Sequence, residues 1–168
     1  MNFAVVHTRA QLGVQAPPVR AEVHLAGGLP SFNIVGLPET AVRESRDRVR
    51  AAIANSGFHL PQRRITVSLA PADLPKDGGR FDLPIALGIL LASKQLRVDG
   101  LDEHEFLGEL SLAGEVRGVP GCLPAILGVR STGRTLVLPR DNAVEAGLVG
   151  DCDCRLADDL AGVCTALS

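Results

Sequence analysis

Apolar residues recur along this chain with two different periods, and their succession predicts the order of strands and helices. The period of two is clearest in residues 18–28, where Val19, Ala21, Val23 and Leu25 fall on one side of an extended segment. Similar alternation, or a short apolar run between turn residues, predicts further strands in residues 2–9, 32–36, 64–72, 105–119, 135–139 and from residue 154. A tight turn at Ala113 and Gly114 divides the 105–119 segment into two strands.

The helical period of about 3.6 residues appears between these strands. Residues 38–55 form the best example, because Pro38 suits a first helical turn and Gly57 ends the pattern. The face predicted to be buried carries Val42, Ser45, Val49, Ala52 and Ile53. Residues 82–93 read as a nearly all-apolar, buried helix with Asp82 as its N-cap. Further helices are predicted in residues 122–133 and 141–150 and at the carboxyl terminus.

The alternation of strands and helices predicts an α/β or α+β class with a mixed sheet and packed helices. The length of 168 residues suits a single domain spanning residues 1–168. The net charge of −2 gives no general attraction to nucleic acid or to membranes. A signal peptide and a membrane-spanning apolar run are both missing from the sequence, so we expect a cytoplasmic protein without membrane contact.

The cysteines and histidines favour ordinary structural roles. Cys152 and Cys154 are too close in sequence for an ordinary disulfide, and with Cys164 they match no standard zinc spacing. The four histidines are scattered without metal-ligand spacing. We therefore expect no metal site.

The segment LPKDGGRFDLPIAL, residues 74–87, has the composition of a loop that opens a helix. A Walker A phosphate loop places its lysine after the second glycine, whereas Lys76 precedes Gly78 and Gly79. No G-K pair and no G-x-G-x-x-G pattern occurs in the chain. We therefore expect no nucleotide cofactor in this chain.

Arg80, beside those glycines, admits two interpretations. In the first, the Arg80 charge and the exposed N–H groups at the helix start bind an anion together. In the second, which we favour, Arg80 pairs with Asp77 or Asp82 and holds the turn. In either case Gly78 or Gly79 is expected to adopt backbone angles closed to other residues.

Arg43, Arg46 and Arg50 recur on one face of the 38–55 helix, and Arg63 and Arg64 follow soon after. One interpretation is a basic stripe that contacts DNA phosphates or a neighbouring subunit. The other, which we favour, is a solvated face tied by pairs four residues apart. Those pairs are Glu39–Arg43, Arg43–Asp47 and Glu44–Arg48.

Two segments resemble the Lon-type serine proteases. One is Lys76–Asp82 with the apolar helix that follows it, and the other is GELSLAGEVRGVPGCLPAIL, residues 108–127. The resemblance places Arg80 at the position of the catalytic serine and Leu123 at that of the catalytic lysine. Arginine stays protonated and cannot replace a neutral amine as the base, so we expect no peptidase activity.

The runs NIVGLP, AVRESRDRVRAAI, LAPADLPKDGGRFDLP and GELSLAGEVRG make the resemblance more specific. Together they are similar to the amino-terminal domain of the ComM/YifB, or magnesium chelatase, family of AAA+ proteins over nearly the whole chain. The resemblance implies a Lon-protease-like, ribosomal protein S5 domain 2-like fold. It also implies an AAA+ motor that is absent from this chain and would bind ATP and Mg.

That family resemblance implies a homo-hexameric, ATP-driven helicase for DNA branch migration in natural transformation. We expect this chain to be its non-catalytic domain, which engages DNA weakly and assists subunit assembly beside its own motor. The alternative is a peptide- or protein-docking module that uses the former protease groove. The candidate DNA or interface residues are Arg43, Arg46, Arg50, Arg63, Arg64, Lys76 and Arg80.

Overall fold

The structure is a computed structural model that describes residues 2–76 and 78–168. The first half of the chain contains a four-stranded mixed sheet. Its strands are β1 (Phe3–Arg9), β2 (Pro18–Ala26), β3 (Ser31–Val35) and β4 (Arg64–Ala70). The spatial order is β1-β2-β4-β3, with β3 parallel to β4 and the other neighbours antiparallel. Strands β1 and β3 therefore lie at opposite edges of this sheet.

Two helices cover one face of the sheet. Helix α1 (Glu39–Asn55) connects β3 to the parallel strand β4, and α2 (Asp82–Ala92) packs against β1, β2 and α1. The buried residues of α1 are those that its period predicted, Val42, Ser45, Val49, Ala52 and Ile53. Nearly every residue of α2 is buried, as its apolar sequence predicted.

The second half contains a small parallel sheet and a hairpin. Its strands and helices are β5 (His104–Phe106), β6 (Glu109–Leu110), β7 (Val116–Arg117), α3 (Cys122–Arg130), β8 (Thr135–Pro139), α4 (Ala143–Gly147), β9 (Cys154–Ala157) and α5 (Leu160–Leu167). The parallel sheet has the order β5-β8-β9, and β6 pairs antiparallel with β7. Short 3-10 turns span Leu101–Glu103 and Arg140–Asn142.

Two apolar clusters stabilise the fold. The larger lies between the four-stranded sheet and helices α1 and α2, and it extends to α5. The smaller lies between α3 and the β5-β8-β9 sheet, around Leu107, Ile126 and Leu138. Burial of apolar area drives folding at roughly 25 cal/mol per Å², so these two clusters supply most of the stabilisation.

The α/β class with a mixed sheet is confirmed, and the fold is consistent with a Lon-like α+β domain. Two details of the sequence prediction are wrong. Helix α1 begins at Glu39, with Pro38 as the N-cap residue. Phe81 occupies the N-cap position of α2, and Asp82 makes no capping bond, because its carboxylate turns towards α1 instead. No helix of the described residues is long and apolar enough to cross a membrane.

Candidate functional site in the loop before α2 and along α1

The β4–α2 loop, residues 71–81, ends in a main chain fixed by hydrogen bonds. The Asp82 N–H donates to the Gly79 carbonyl (3.0 Å), and the Gly108 N–H donates to the Arg80 carbonyl (3.1 Å). The Leu83 N–H in turn donates to the Gly108 carbonyl (3.0 Å). The end of the loop is thereby held against the segment between β5 and β6.

At both glycine positions of the loop, sterics explain why the residue is glycine. Gly78 has φ +71°, in the left-handed region that favours glycine, which confirms the sequence prediction. Gly79 lies so close to the Glu109 carboxylate that a Cβ atom there would overlap it. Asp77, one of the predicted loop residues, lies outside the described residues.

Arg80, at the position of the protease serine, is buried with 4% of its surface exposed. Its Nη1 lies 3.5 Å from the Arg9 carbonyl, and its Nη2 donates to the Pro120 carbonyl. The guanidinium therefore connects the end of β1 to the segment before α3. Asp82, one of its two predicted partners, is bound to Arg48 instead.

Leu123, at the position of the protease lysine, lies in the first turn of α3. Its main-chain N–H donates to Oε2 of Glu145 (3.1 Å). The neighbouring thiol of Cys122 is fully buried, and burial, reinforced by Glu145, raises its pKa to about 12. A protonated, buried thiol is a poor nucleophile, so Cys122 does not offer the reactive thiolate of a cysteine mechanism. Arg80 and Leu123 likewise do not offer the hydroxyl and the amine of a Ser–Lys dyad.

Lys76 turns back on its own loop. Its Nζ donates to the carbonyls of Pro71 (2.5 Å) and Leu74 (3.0 Å), and the residue is buried. Burial lowers the pKa of the Lys76 ammonium, and the charge of Asp73 opposes that change. The Lys76 ammonium therefore binds main-chain carbonyls of its own loop.

Beneath the loop, Asp82 binds three groups from two elements. It accepts from Ser45 Oγ (2.7 Å), from Arg48 Nε (2.6 Å) and from the Leu110 N–H (3.1 Å). Burial raises the pKa of the Asp82 carboxyl, while the bonds from Arg48 and Ser45 oppose the rise. Sequence reasoning missed this cluster, although a serine on the apolar face of a predicted helix was a usable signal, since buried hydroxyls need partners.

A second buried carboxylate, Glu105, joins the two halves of the molecule. Arg9 binds it through Nε (2.8 Å) and Nη2 (3.2 Å), and Arg134 Nη1 lies 3.3 Å away. Arg9 also donates to the Ala16 carbonyl (2.9 Å). No local pattern in the sequence pointed to this cluster, whose members are far apart along the chain.

The arginines of α1 have separate environments. Arg43 and Arg50 are exposed, whereas Arg46 is half-buried and its Nη1 donates to the Phe32 carbonyl of β3 (3.1 Å). In the described part of the chain Arg43 forms no ion pair with Glu39 or Asp47, so two of the three expected pairs are absent. The Glu44–Arg48 pair forms, at 3.8 Å.

Arg50 and Arg63 border one cleft, here called the end cleft, with a volume of about 480 Å³. Its lining includes Pro30–Phe32, the carboxyl-terminal part of α1 and residues 58–63. Arg64 is exposed at the start of β4. Because β4 is about 20 Å long, the structure separates these cations from Lys76 and Arg80 at the other end of that strand.

The cysteines and acidic residues form no recognisable metal site. No group of three or more potential metal ligands is found among the described residues. Cys152 and Cys154 are free thiols whose sulfur atoms lie 3.6 Å apart. Burial raises the pKa of the Cys154 thiol to about 12.

Comparison with known proteins places these features in a family context. Residues 21–142 match the family described as subunit ChlI of Mg-chelatase. The chain is 53% identical over 167 residues to the uncharacterised protein YifB of Escherichia coli K12, covering 99% of this chain and 33% of that protein. It is 54% identical over 163 residues to competence protein ComM of Haemophilus influenzae, covering 97% of this chain and 32% of ComM.

A more distant relative is an uncharacterised protein of Mycobacterium bovis, 44% identical over 144 residues, which cover 85% of this chain and 29% of that protein. The chain thus spans about a third of the length of the curated relatives that it matches. In YifB and ComM the matching region is the amino-terminal part.

Proposed function

This chain belongs to the Mg-chelatase ChlI family, and from that membership we propose that it is the non-catalytic amino-terminal domain of a ComM-like AAA+ ATPase. In the full-length protein, a cytoplasmic homo-hexamer, the motor uses ATP and Mg for DNA branch migration during natural transformation. The domain described here engages DNA and assists the assembly of subunits.

The observation that carries the non-catalytic role is the position of Arg80. A Ser–Lys dyad needs a hydroxyl and a neutral amine within hydrogen-bond reach. Arg80 instead places a permanent cation against two main-chain carbonyls, and Leu123 supplies no amine.

A direct assay tests this part of the proposal. The purified 168-residue chain is expected to show no ATP turnover and no cleavage of casein above a matched blank. Turnover of either substrate that increases in proportion to the chain concentration, and persists through a second purification step, would overturn the non-catalytic role.

Lys76 and Arg80 are buried and bind main-chain carbonyls, so the support for DNA engagement comes from the exposed arginines. Arg43 and Arg64 are exposed and are free of ion pairs in the described part of the chain. The net charge of −2 and the absence of Trp and Tyr limit the affinity of one domain. We expect a non-specific Kd of about 10⁻⁴ M at physiological salt, with tighter binding in a hexamer through multiple sites.

The test is a charge-reversal pair, Arg43→Glu with Arg64→Glu, in the full-length protein. Arg97→Glu, also exposed and distant in sequence from both sites, is the matched control. DNA affinity is measured by fluorescence anisotropy over a salt titration. The double variant is expected to make the negative slope of log K against log salt shallower by about 0.9 for each phosphate that it no longer neutralises. An unchanged slope would remove these two residues from the DNA interface.

A further inference from the structure

Strand β3 has hydrogen-bonding groups that the sheet does not use. In the described residues its pairing partner is β4, and the Ser31 N–H donates to the Arg63 carbonyl (3.2 Å). Because main-chain groups alternate in direction along a strand, Ser31, Asn33 and Val35 face β4. The N–H and C=O groups of Phe32 and Ile34 therefore point away from the sheet, at an open edge.

The row of arginines on α1 runs along this edge. Arg46 reaches the outward Phe32 carbonyl, and Arg50 lines the end cleft together with Pro30–Phe32. Helix α1 thus runs opposite to β3, and Arg43, one turn before Arg46, lies beside the later part of the strand. From Arg43 to Arg50 the row spans about 10.5 Å along the helix axis, close to the length of three or four strand residues.

This arrangement combines two requirements of strand recognition. An open edge supplies main-chain hydrogen bonds to an extended segment, and a flanking row of charge selects its side chains. Alternate residues of a strand are about 6.6 Å apart, comparable with the rise of about 4.5–6 Å between successive arginines of the row. Cations on such an edge also discourage pairing with other basic or neutral strands.

We propose that the open edge of β3 and the arginine row Arg43, Arg46 and Arg50 bind an extended protein segment with acidic side chains at alternate positions. The segment adds a fifth strand beside β3, and its acidic side chains contact the arginines and extend to Arg63 in the end cleft. Arg43 and Arg50 are exposed and form no ion pair in the described part of the chain, so both are available to such a segment. The proposal goes beyond the motor-linked function, since it requires neither DNA nor ATP.

The experiment uses the 168-residue chain and a ten-residue peptide that alternates glutamate and valine. Three probes are compared with it: the same peptide with lysine for glutamate, a version N-methylated at every residue, and a single-stranded ten-nucleotide DNA. Binding is followed by amide NMR shifts, and hydrogen exchange is measured at Phe32 and Ile34. The acidic peptide is expected to bind with a Kd below about 1 mM and to slow exchange at Ile34 at least about tenfold.

The N-methylated peptide is expected to lose binding, because neither of its edges can donate an N–H group to β3. The lysine peptide is expected to bind at least about tenfold more weakly. Arg43→Glu with Arg50→Glu should weaken the acidic peptide at least about tenfold, whereas Arg97→Glu should leave its affinity unchanged. These two positions are exposed, so the double variant is expected to stay folded, which its NMR spectrum checks.

Three results would overturn the proposal. They are no shift with acidic peptide up to about 1 mM, equal binding of the N-methylated peptide, and protection of the β3 edge by DNA in place of the acidic peptide. The last result would assign the row to nucleic acid and strengthen the DNA part of the proposed function. Loss of DNA binding in the Arg43→Glu, Arg64→Glu pair is measured separately, so either proposal can fail while the other stands.

Discussion

Helix α1 carries four arginines, and its two sides use them in opposite ways. Inward, Arg48 forms a close pair with a carboxylate that is 1% exposed, and Ser45 completes the cluster. Outward, Arg43 and Arg50 meet solvent, while Arg46 donates to the edge of β3. The residue type is the same on both sides, so the group that each guanidinium faces decides whether it stabilises the fold or remains available to a partner.

The largest expected effect comes from removing the inward arginine. Arg48→Ala leaves the Asp82 carboxylate buried without its cation, and breaking a buried pair in this way costs about 3–5 kcal/mol. We expect the lower end, about 3 kcal/mol, because the Arg48 side chain is 20% exposed. Urea denaturation followed by circular dichroism measures the decrease in stability.

The control for this experiment replaces both partners, Arg48→Met with Asp82→Leu. A pair of apolar residues leaves no unpaired charge, so we expect the double variant to be more stable than Arg48→Ala. A decrease below about 0.5 kcal/mol for Arg48→Ala would show that the inner and outer arginines are equivalent.

The next effect concerns the hydroxyl beside that pair. Ser45→Ala removes a 2.7 Å bond to a charged acceptor, and such bonds contribute about 1.5–3 kcal/mol. We expect the free energy of unfolding to decrease by about 2 kcal/mol. Ser93→Ala, at a half-buried hydroxyl that donates to main-chain carbonyls, is the matched comparison. Equal decreases in the two variants would argue against a special role for the Asp82 charge.

The inner cluster also predicts a dependence on pH. Burial raises the pKa of Asp82, so the folded state binds its proton more tightly than the unfolded state. The protonated Asp82 carboxyl therefore contributes to the free energy of unfolding. This contribution is fully present below the unfolded pKa of about 3.9, and it is lost as the pH rises through the folded pKa. Relative to Asp82→Asn, the wild-type free energy of unfolding should therefore fall as the pH rises above about 3.9.

Urea titrations of both proteins at fixed pH values give this difference directly. The Asp82→Asn variant is the reference because it keeps the shape of the side chain and lacks the titrating proton. A difference that stays constant, or increases with pH, would contradict the direction assigned to the pKa of Asp82.

The smallest effect belongs to the outer side. Arg43→Ala and Arg50→Ala are surface substitutions, and each is expected to change stability by less than about 0.5 kcal/mol. Thermal unfolding of the two variants and of Arg97→Ala should give midpoints within a few degrees of one another, by the usual size scaling. A larger decrease at Arg50 would mean that it stabilises the fold from within the end cleft.

Much of the fold was predictable from the sequence because periodicity reports which side of an element is buried. The alternation at Val19–Leu25 and the α1 face from Val42 to Ile53 are both confirmed. The apolar run after Asp82 correctly predicted a buried helix. The cap of that helix was predicted wrongly, because an aspartate at a helix start can cap or can bind elsewhere, and the alternative partner comes from α1.

The candidate site was less predictable, since its contacts join residues far apart in the chain. Arg80 was identified at the loop, but its acceptors lie on Arg9 and Pro120, which no local rule connects to it. The row of arginines was visible as a period along α1, whereas the open edge beside it depends on β3 being the last strand of its sheet. Strand order is a property of topology, and the periodic pattern of one segment does not report it.

The Glu105 cluster has a consequence for how the molecule unfolds. Its carboxylate, 1% exposed, is bound by Arg9 from the four-stranded sheet and by Arg134 next to β8. Separating the two sheets would break the Arg9–Glu105 pair, whereas Arg134 adjoins the same sheet as Glu105 and would stay beside it. The apolar clusters on either side are therefore coupled, and amide hydrogens in both should exchange through the same global opening event.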